Sequence, residues 1–211
     1  MLPKQQSYEN LADTMIEKFN TRGIEGYYCQ TKEEALLMAE RFLTPGCSVS
    51  WGGSMTLEEI GLIDVLKASD YLVYDRMEAK NEEEAKELYG KIVTSDYYFM
   101  SSNAITIDGE LINIDGAGNR VACLIHGPSN VIIIAGMNKV VPDVKFGVAR
   151  VRNTASPANA VRLSKNTPCA TLGRCVNCLS DDCICAQVVI TRKSRIPNRI
   201  KVILVGEELG Y

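Results

Sequence analysis

An α/β fold built on a parallel or mostly parallel sheet is what this sequence predicts, on three observations. Short apolar runs alternate with amphipathic helical stretches along most of the 211 residues. The run VIIIAG (131–136) is apolar without interruption, as expected of a strand buried on both faces. Only AITIDGELINID (104–115) switches to a period of two, around Asp108-Gly109, and reads as an inserted hairpin with a type I′ turn.

The elements follow in order. Leu11, Met15, Ile16 and Phe19 share one helical face, and Gly23 is a natural stop. GYYCQ (26–30) is a short strand. Thr31 and Glu34 form a capping-box pattern ahead of a helix that Pro45-Gly46 ends. CSVSW (47–51) is a strand that runs into Gly52-Gly53-Ser54, and Thr56-x-x-Glu59 reads as the cap of the next helix. Strand YLVYD (71–75), a helix from Glu82 to Val93 and strand YYFMSS (97–102) precede the hairpin. After it come the loop DGAGNR, a short helix to His126, VIIIAG, and a helix begun by Pro142-Asp143. Ser156-Pro157 reads as an N-cap with proline in the first turn. VVIT and KVILVG close the chain as strands. No boundary divides it, so one domain over 1–211 is expected, with a cysteine-rich segment at 169–185.

Composition excludes several functions. Apolar residues make up 46 % and charged residues 23 %, ordinary values for a globule. A net charge of −3 leaves no electrostatic footprint for nucleic acid or an anionic membrane. No apolar stretch approaches the roughly 18 residues that span a bilayer. The first residues lack the apolar core of a signal peptide, so a cytoplasmic protein is expected, in conditions that disfavour structural disulfides.

Five of the eight cysteines crowd into PCATLGRCVNCLSDDCIC: Cys169, Cys175, Cys178, Cys183 and Cys185. Cys175-x-x-Cys178 is a chelating unit, because two thiolates that close reach one metal from a single turn. Flanking thiols complete a set of four that suits zinc or an iron–sulfur cluster, and spacing does not choose between them. A redox disulfide is the alternative. Cys29, Cys47 and Cys123 lie apart in apolar surroundings and read as core thiols.

Two glycine-rich constellations carry the candidate ligand site. In WGGSMTLEEIG, Gly52 and Gly53 turn the chain tightly before a helix start, with Ser54 and Thr56 as hydroxyl donors to an anion. In SSNAITIDGELINIDGAGNR, Ser102 and Asn103 stand at a strand end, and Gly116 and Gly118 permit close backbone approach. Asp115, Asn119 and Arg120 supply an acceptor, an amide and a phosphate or carboxylate partner. Both loops follow strands, so in a parallel sheet they share its carboxyl edge, where ligands bind. Lys139, in GMNKVVPD, stands at a third strand end as an anion partner or a surface lysine. His126 is the sole histidine and reads as structural. Glu58 and Glu59 complement a helix dipole.

The runs SSNAITIDGELINIDGAGNRVA, GMNKVVPD, TPCATLGRCVNC and RIKVILVGEELGY resemble the LUD (lactate-utilisation) domain family. They are most similar to a branch of it with a C-terminal cysteine motif. The resemblance runs from WGGSMTLEEIG to Tyr211. It implies a Rossmann-like three-layer α/β/α sandwich of the sugar-phosphate isomerase and CoA-transferase superfamily, with an inserted hairpin. It also implies a ligand against Gly52, Gly53, Ser54 and Thr56 on one side and Ser102, Asn103, Asp115, Gly116, Gly118, Asn119 and Arg120 on the other, and four metal-binding thiols at Cys169, Cys175, Cys178 and Cys185. Cys183 is extra, and no counterpart of the CoA-transferase glutamate is present.

Three functions follow as expectations. The first is a component of lactate or hydroxy-acid utilisation, catalytic or accessory, with a cysteine-held metal or iron–sulfur site. It would bind a small anionic metabolite, with Asp115 and Asn103 nearest the chemistry, and work with an iron–sulfur partner subunit or as a homo-oligomer. The second is a phosphosugar isomerase or hydrolase with structural zinc. The third is a regulatory subunit without catalysis.

Overall fold

The computed structural model describes residues 2–211. Helix α1 spans Pro3–Thr21 and β1 Glu25–Cys29; α2 is Lys32–Arg41 and β2 Ser48–Trp51. Helices α3 (Met55–Glu59) and α4 (Leu62–Ala68) lead to β3 (Leu72–Tyr74), α5 (Glu82–Val93) and β4 (Tyr97–Met100). Strands β5 (Ala104–Thr106) and β6 (Leu111–Asp115) are followed by α6 (Asn119–Ile125), β7 (Asn130–Gly136) and the short β8 (Val140–Val141). Helices α7 (Val144–Arg150), α8 (Ser156–Arg162) and α9 (Pro168–Leu172) precede β9 (Gln187–Thr191) and β10 (Ile200–Val205).

The main sheet has six parallel strands in the order β1-β10-β7-β4-β2-β3. Alternating side chains of β7 explain why it sits at the centre. Val131, Ile133 and Ala135 face a layer with Met15 and Phe19 of α1, Ile92 of α5 and Leu124 of α6. Ile132 and Ile134 face the other layer, with Ala35 and Ala39 of α2 and Leu57, Leu62 and Leu66 of α3 and α4. All five β7 side chains are fully buried, which leaves no polar face in the run. The result is a three-layer α/β/α sandwich.

The inserted hairpin does not lie on this sheet. It forms a second, four-stranded sheet in the order β8-β5-β6-β9, over a smaller core of Ala104, Ile112, Ile114, Val141, Val151 and Ala155. The VVIT run is therefore β9, antiparallel to β6, with Ile112 opposite Ile190.

Three local expectations are corrected. The hairpin turn is not type I′: Gly109 has φ +87°, but Asp108 is not in the left-handed region. The Gly109 N–H donates to Thr106 O (2.8 Å) and Thr106 N–H to Glu110 O (3.0 Å), the three-residue loop with a glycine bulge. Arg22 Nε donates to Asp108 O (2.5 Å) and Lys18 pairs with its carboxylate (3.7 Å), holding the turn against the end of α1. Thr56 is not the helix cap. Ser54 Oγ accepts from Leu57 N–H (3.4 Å), while Thr56 is buried and points elsewhere. Nor is Ser156 an N-cap: the helix runs from α7 into α8 through a π turn at Val151–Ala155. Pro157 has no N–H to give its preceding turn, and the wider π turn accommodates that loss inside a continuous helix.

No helix among the described residues is long and apolar enough to cross a membrane. Cys29, Cys47 and Cys123 are buried core thiols, and burial pushes the Cys29 and Cys123 thiols up to about 11. His126 is an exposed residue at the end of α6.

Candidate functional site

The loops after β2, β4 and β7, three adjacent parallel strands, open on one edge of the main sheet and enclose a cleft of about 240 Å³. Of the residues singled out from sequence, Gly53, Ser54, Ser102, Asn103, Asp115, Gly116, Asn119, Arg120 and Lys139 line it. Gly52, Thr56 and Gly118 lie just behind and shape it. A Cβ on Gly52 would come within 3.0 Å of the Arg120 side chain and the Tyr98 hydroxyl. Gly118, at φ +86°, caps α6.

Arg120 is the cleft's structural hub. Its Nη1 donates to Ser101 O (3.1 Å) and Asn113 Oδ1 (2.6 Å), and its Nη2 to Asn103 Oδ1 (3.0 Å) and Ile114 O (2.9 Å). Its Nε faces Asp115 Oδ2 at 3.3 Å. A guanidinium has five N–H donors, and here the protein occupies all of them. Burial depresses its pKa, with Asp115 opposing that, and the group stays charged. Asp115 is similarly committed: Oδ1 accepts from Gly118 N–H (3.0 Å) and Oδ2 faces Arg120. The Ser102 hydroxyl bonds Ala104 O and Ile112 O and is turned away from a ligand. These residues hold the two loops in register; they spend their polar groups on the protein.

Lys139 is the unexpected member. It is 4 % exposed, and its Nζ donates to Thr56 Oγ1 (2.8 Å) and Ser101 Oγ (2.9 Å). Among the described residues no carboxylate forms an ion pair with it. Burial, and after it Arg150, lowers its pKa to about 7; Glu59 opposes this and Arg120 adds a smaller push downward. The segment after β10 straps this corner: Asn138 Nδ2 donates to Leu209 O and Gly210 O, and Gly210 N–H donates to Glu59 Oε2 (2.7 Å).

Sequence reasoning missed the cleft's exposed cations, Arg76 and Arg162. Arg76 follows β3, so the same strand-end rule that found the other loops would have found it. Its Nη2 would stand 2.8 Å from a Cβ on Gly53, so the arginine tip lies directly against that turn. Arg162 donates to Asn159 Oδ1 from α8, and no local pattern marks Arg162. A smaller apolar pocket walled by Trp51, Tyr89, Tyr98 and Cys123 adjoins the cleft and shares Arg76 and Asn119 with it.

The cysteine segment forms another wall. Ile184 lines the cleft, and a Cβ on Gly116 would come within 3.3 Å of Ile184 Cα and 3.7 Å of Cys183 O. Residues 173–186 lack regular structure and are tied down by Asp182, which pairs with Lys165 (2.7 Å) and accepts from Asn166 N–H (2.7 Å). All eight cysteines are free thiols. Burial raises the Cys185 thiol pKa, and Cys183, Cys175 and Cys178 add to the shift. Hydrogen bonds with Ser180 lower that of Cys178. Among the described residues no three His, Cys, Asp or Glu side chains converge closely enough to hold a metal ion.

A three-layer sandwich with an anion-friendly cleft at the carboxyl edge of its strands defines the class. The LUD domain model matches residues 12–205, and the chain belongs to that family. Among solved structures it is similar to a DUF162 family protein from Deinococcus radiodurans, at 14 % identity and a TM-score of 0.55, over 94 % of this chain and 98 % of that one. It is also similar to ribose 5-phosphate isomerase from Plasmodium falciparum, at 19 % identity and a TM-score of 0.35, over 53 % and 52 % of the two chains. Among curated proteins none matches.

Proposed function

We propose that the chain is a component of lactate or related hydroxy-acid utilisation, whose cleft holds a small hydroxy- or oxo-acid and whose cysteine segment holds a metal or iron–sulfur centre. The observation that carries this reading is the placement of Ile184. Flanked by Cys183 and Cys185, it lines the same cleft as Ser54, Asp115 and Lys139. A change at the thiols therefore has a direct mechanical route to the ligand.

Within the cleft, Arg76 and Arg162 present the available positive charge, and Ser54 offers a hydroxyl beside them. Asp115, Asn103 and Arg120 keep the loops rigid, so an anion meets a preorganised surface. The donor chemistry of the cysteine segment fits the proposed centre: free thiols at Cys169 on the short helix α9 and at Cys175, Cys178 and Cys185 on the irregular loop that follows it, outside both sheets. Such a centre would supply one-electron transfer if iron–sulfur, or a fixed wall if zinc.

Anaerobic purification, with visible absorption and analysis of iron, sulfide and zinc, tests the centre. Broad visible absorption with iron and sulfide supports the redox reading. One zinc without iron removes electron transfer and moves the protein to a stand-alone enzyme or regulatory subunit. Absence of any metal, together with no thermal stabilisation by lactate, pyruvate or glycolate, ends the proposal.

A further inference from the structure

Lys139 is a buried lysine with two hydroxyl partners and no carboxylate partner among the described residues. A neutral amine has two N–H donors and a lone pair, an ammonium three donors and none. The protein offers Nζ two hydroxyl acceptors, Thr56 Oγ1 at 2.8 Å and Ser101 Oγ at 2.9 Å. Each hydroxyl also has a carbonyl at the limit of reach for its own proton. Thr56 donates its proton to Leu209 O (3.4 Å) and Ser101 to Ser102 O (3.4 Å). With two acceptors only, an ammonium at Nζ would leave its third N–H without a protein partner among the described residues, whereas a neutral amine would not. The charged groups around it point the same way: Arg150 and Arg120 disfavour a further positive charge, and only Glu59, whose carboxylate is engaged with Gly210 N–H, opposes them. Gly210, at φ +57°, keeps the space beside Nζ clear. A Cβ there would lie 3.2 Å from Nζ and 2.8 Å from Thr56 Oγ1. Arg76 and Arg162 line the same cleft as sites for a carboxylate.

We propose that Lys139 performs amine–carbonyl chemistry: its Nζ adds to the carbonyl carbon of a small oxo-acid in the cleft and forms an imine. In this step the nitrogen lone pair makes the C–N bond as the carbonyl π pair moves to oxygen. That oxygen leaves as water with the two amine hydrogens, and no electrons are lost or gained. Thr56 and Ser101, already hydrogen-bonded to Nζ, hold the amine for attack. The inference rests on the cleft being an anion site and narrows the ligand from acids in general to those with a carbonyl.

The test uses the full chain at neutral pH with glyoxylate and sodium cyanoborohydride, which traps an imine as carboxymethyl-lysine. Peptide mass spectrometry then compares Lys139 with the exposed Lys145. An ordinary lysine is almost wholly protonated at that pH, so labelling of Lys139 should exceed that of Lys145 on the order of 100-fold or more. Equal or slower labelling of Lys139 overturns the inference without any variant that risks misfolding. A parallel arm adds glycolate, which has no carbonyl. Stabilisation by glycolate without selective labelling leaves the anion cleft standing and removes the lysine chemistry. Selective labelling that glycolate does not slow keeps the lysine and removes the anion cleft, and failure of both arms removes both.

Discussion

At the cleft floor every donor of Arg120 has a protein acceptor, and Lys139 Nζ donates to two hydroxyls. In the adjoining wall, residues 173–186 form no strand or helix, Leu179 is 96 % exposed, and the sulfurs do not converge. Both regions are rich in chemistry-bearing side chains, yet one is finished by the fold and the other is not. The difference follows from where each is anchored. Arg120 and Lys139 sit beside the central strands of a buried sheet, where an unpaired polar group costs about 1–3 kcal/mol, so each is paired. The cysteine segment lies outside the two sheets, where water satisfies its polar groups and little apolar burial constrains it. The floor is thus organised by the fold itself, and the loop is not.

Arg120→Leu should break this contrast most. It leaves Asp115 and four further acceptors buried without their cation, and a loss of about 3–5 kcal/mol in denaturant unfolding is expected. Lys139 gives the next largest effect, and its sign is specific. Its folded pKa of about 7 lies below the ordinary 10.5. The unfolded chain therefore holds the extra proton between these values, and stability rises with pH across that window. The slope from this group reaches at most about 1.4 kcal/mol per pH unit, and the burial penalty is full below pH 7. In Lys139→Met that contribution should vanish from the stability–pH profile. Gly210→Ala forces a left-handed backbone on a residue with a Cβ and crowds Thr56. A loss of about 1–2 kcal/mol, read by thermal denaturation, would sharpen the view that the strap is part of the finished floor. The smallest effect belongs to the loop. Cys175→Ala in reduced, metal-free protein should change stability by less than about 0.5 kcal/mol, while metal content after anaerobic purification falls. A large loss in metal-free protein would show that the thiols are structural after all.

Much of this was readable in the chain. VIIIAG announced a two-faced central strand, and the helix from Glu82 to Val93 falls where its pattern placed it. Ser54, Asn103, Asp115, Arg120 and Lys139 were singled out because they follow strands, and one cleft receives them all. The roles were less legible. Arg120 reads as an anion partner until its acceptors are seen, and these come from 6 to 19 residues away in sequence. Thr56 reads as a helix cap, yet its partners are Lys139 and Leu209, 83 and 153 residues distant. Ser156-Pro157 reads as a helix start because the π turn that absorbs the proline depends on packing against the second sheet, not on local pattern.

Alternation of apolar and polar residues determined the strands, the helices and the edge where a ligand meets them, because burial acts on each segment's own periodicity. Tertiary structure alone decided which polar groups were spent on the protein and which were left for a ligand. Hydrogen-bond satisfaction is settled between segments that only the folded chain brings together.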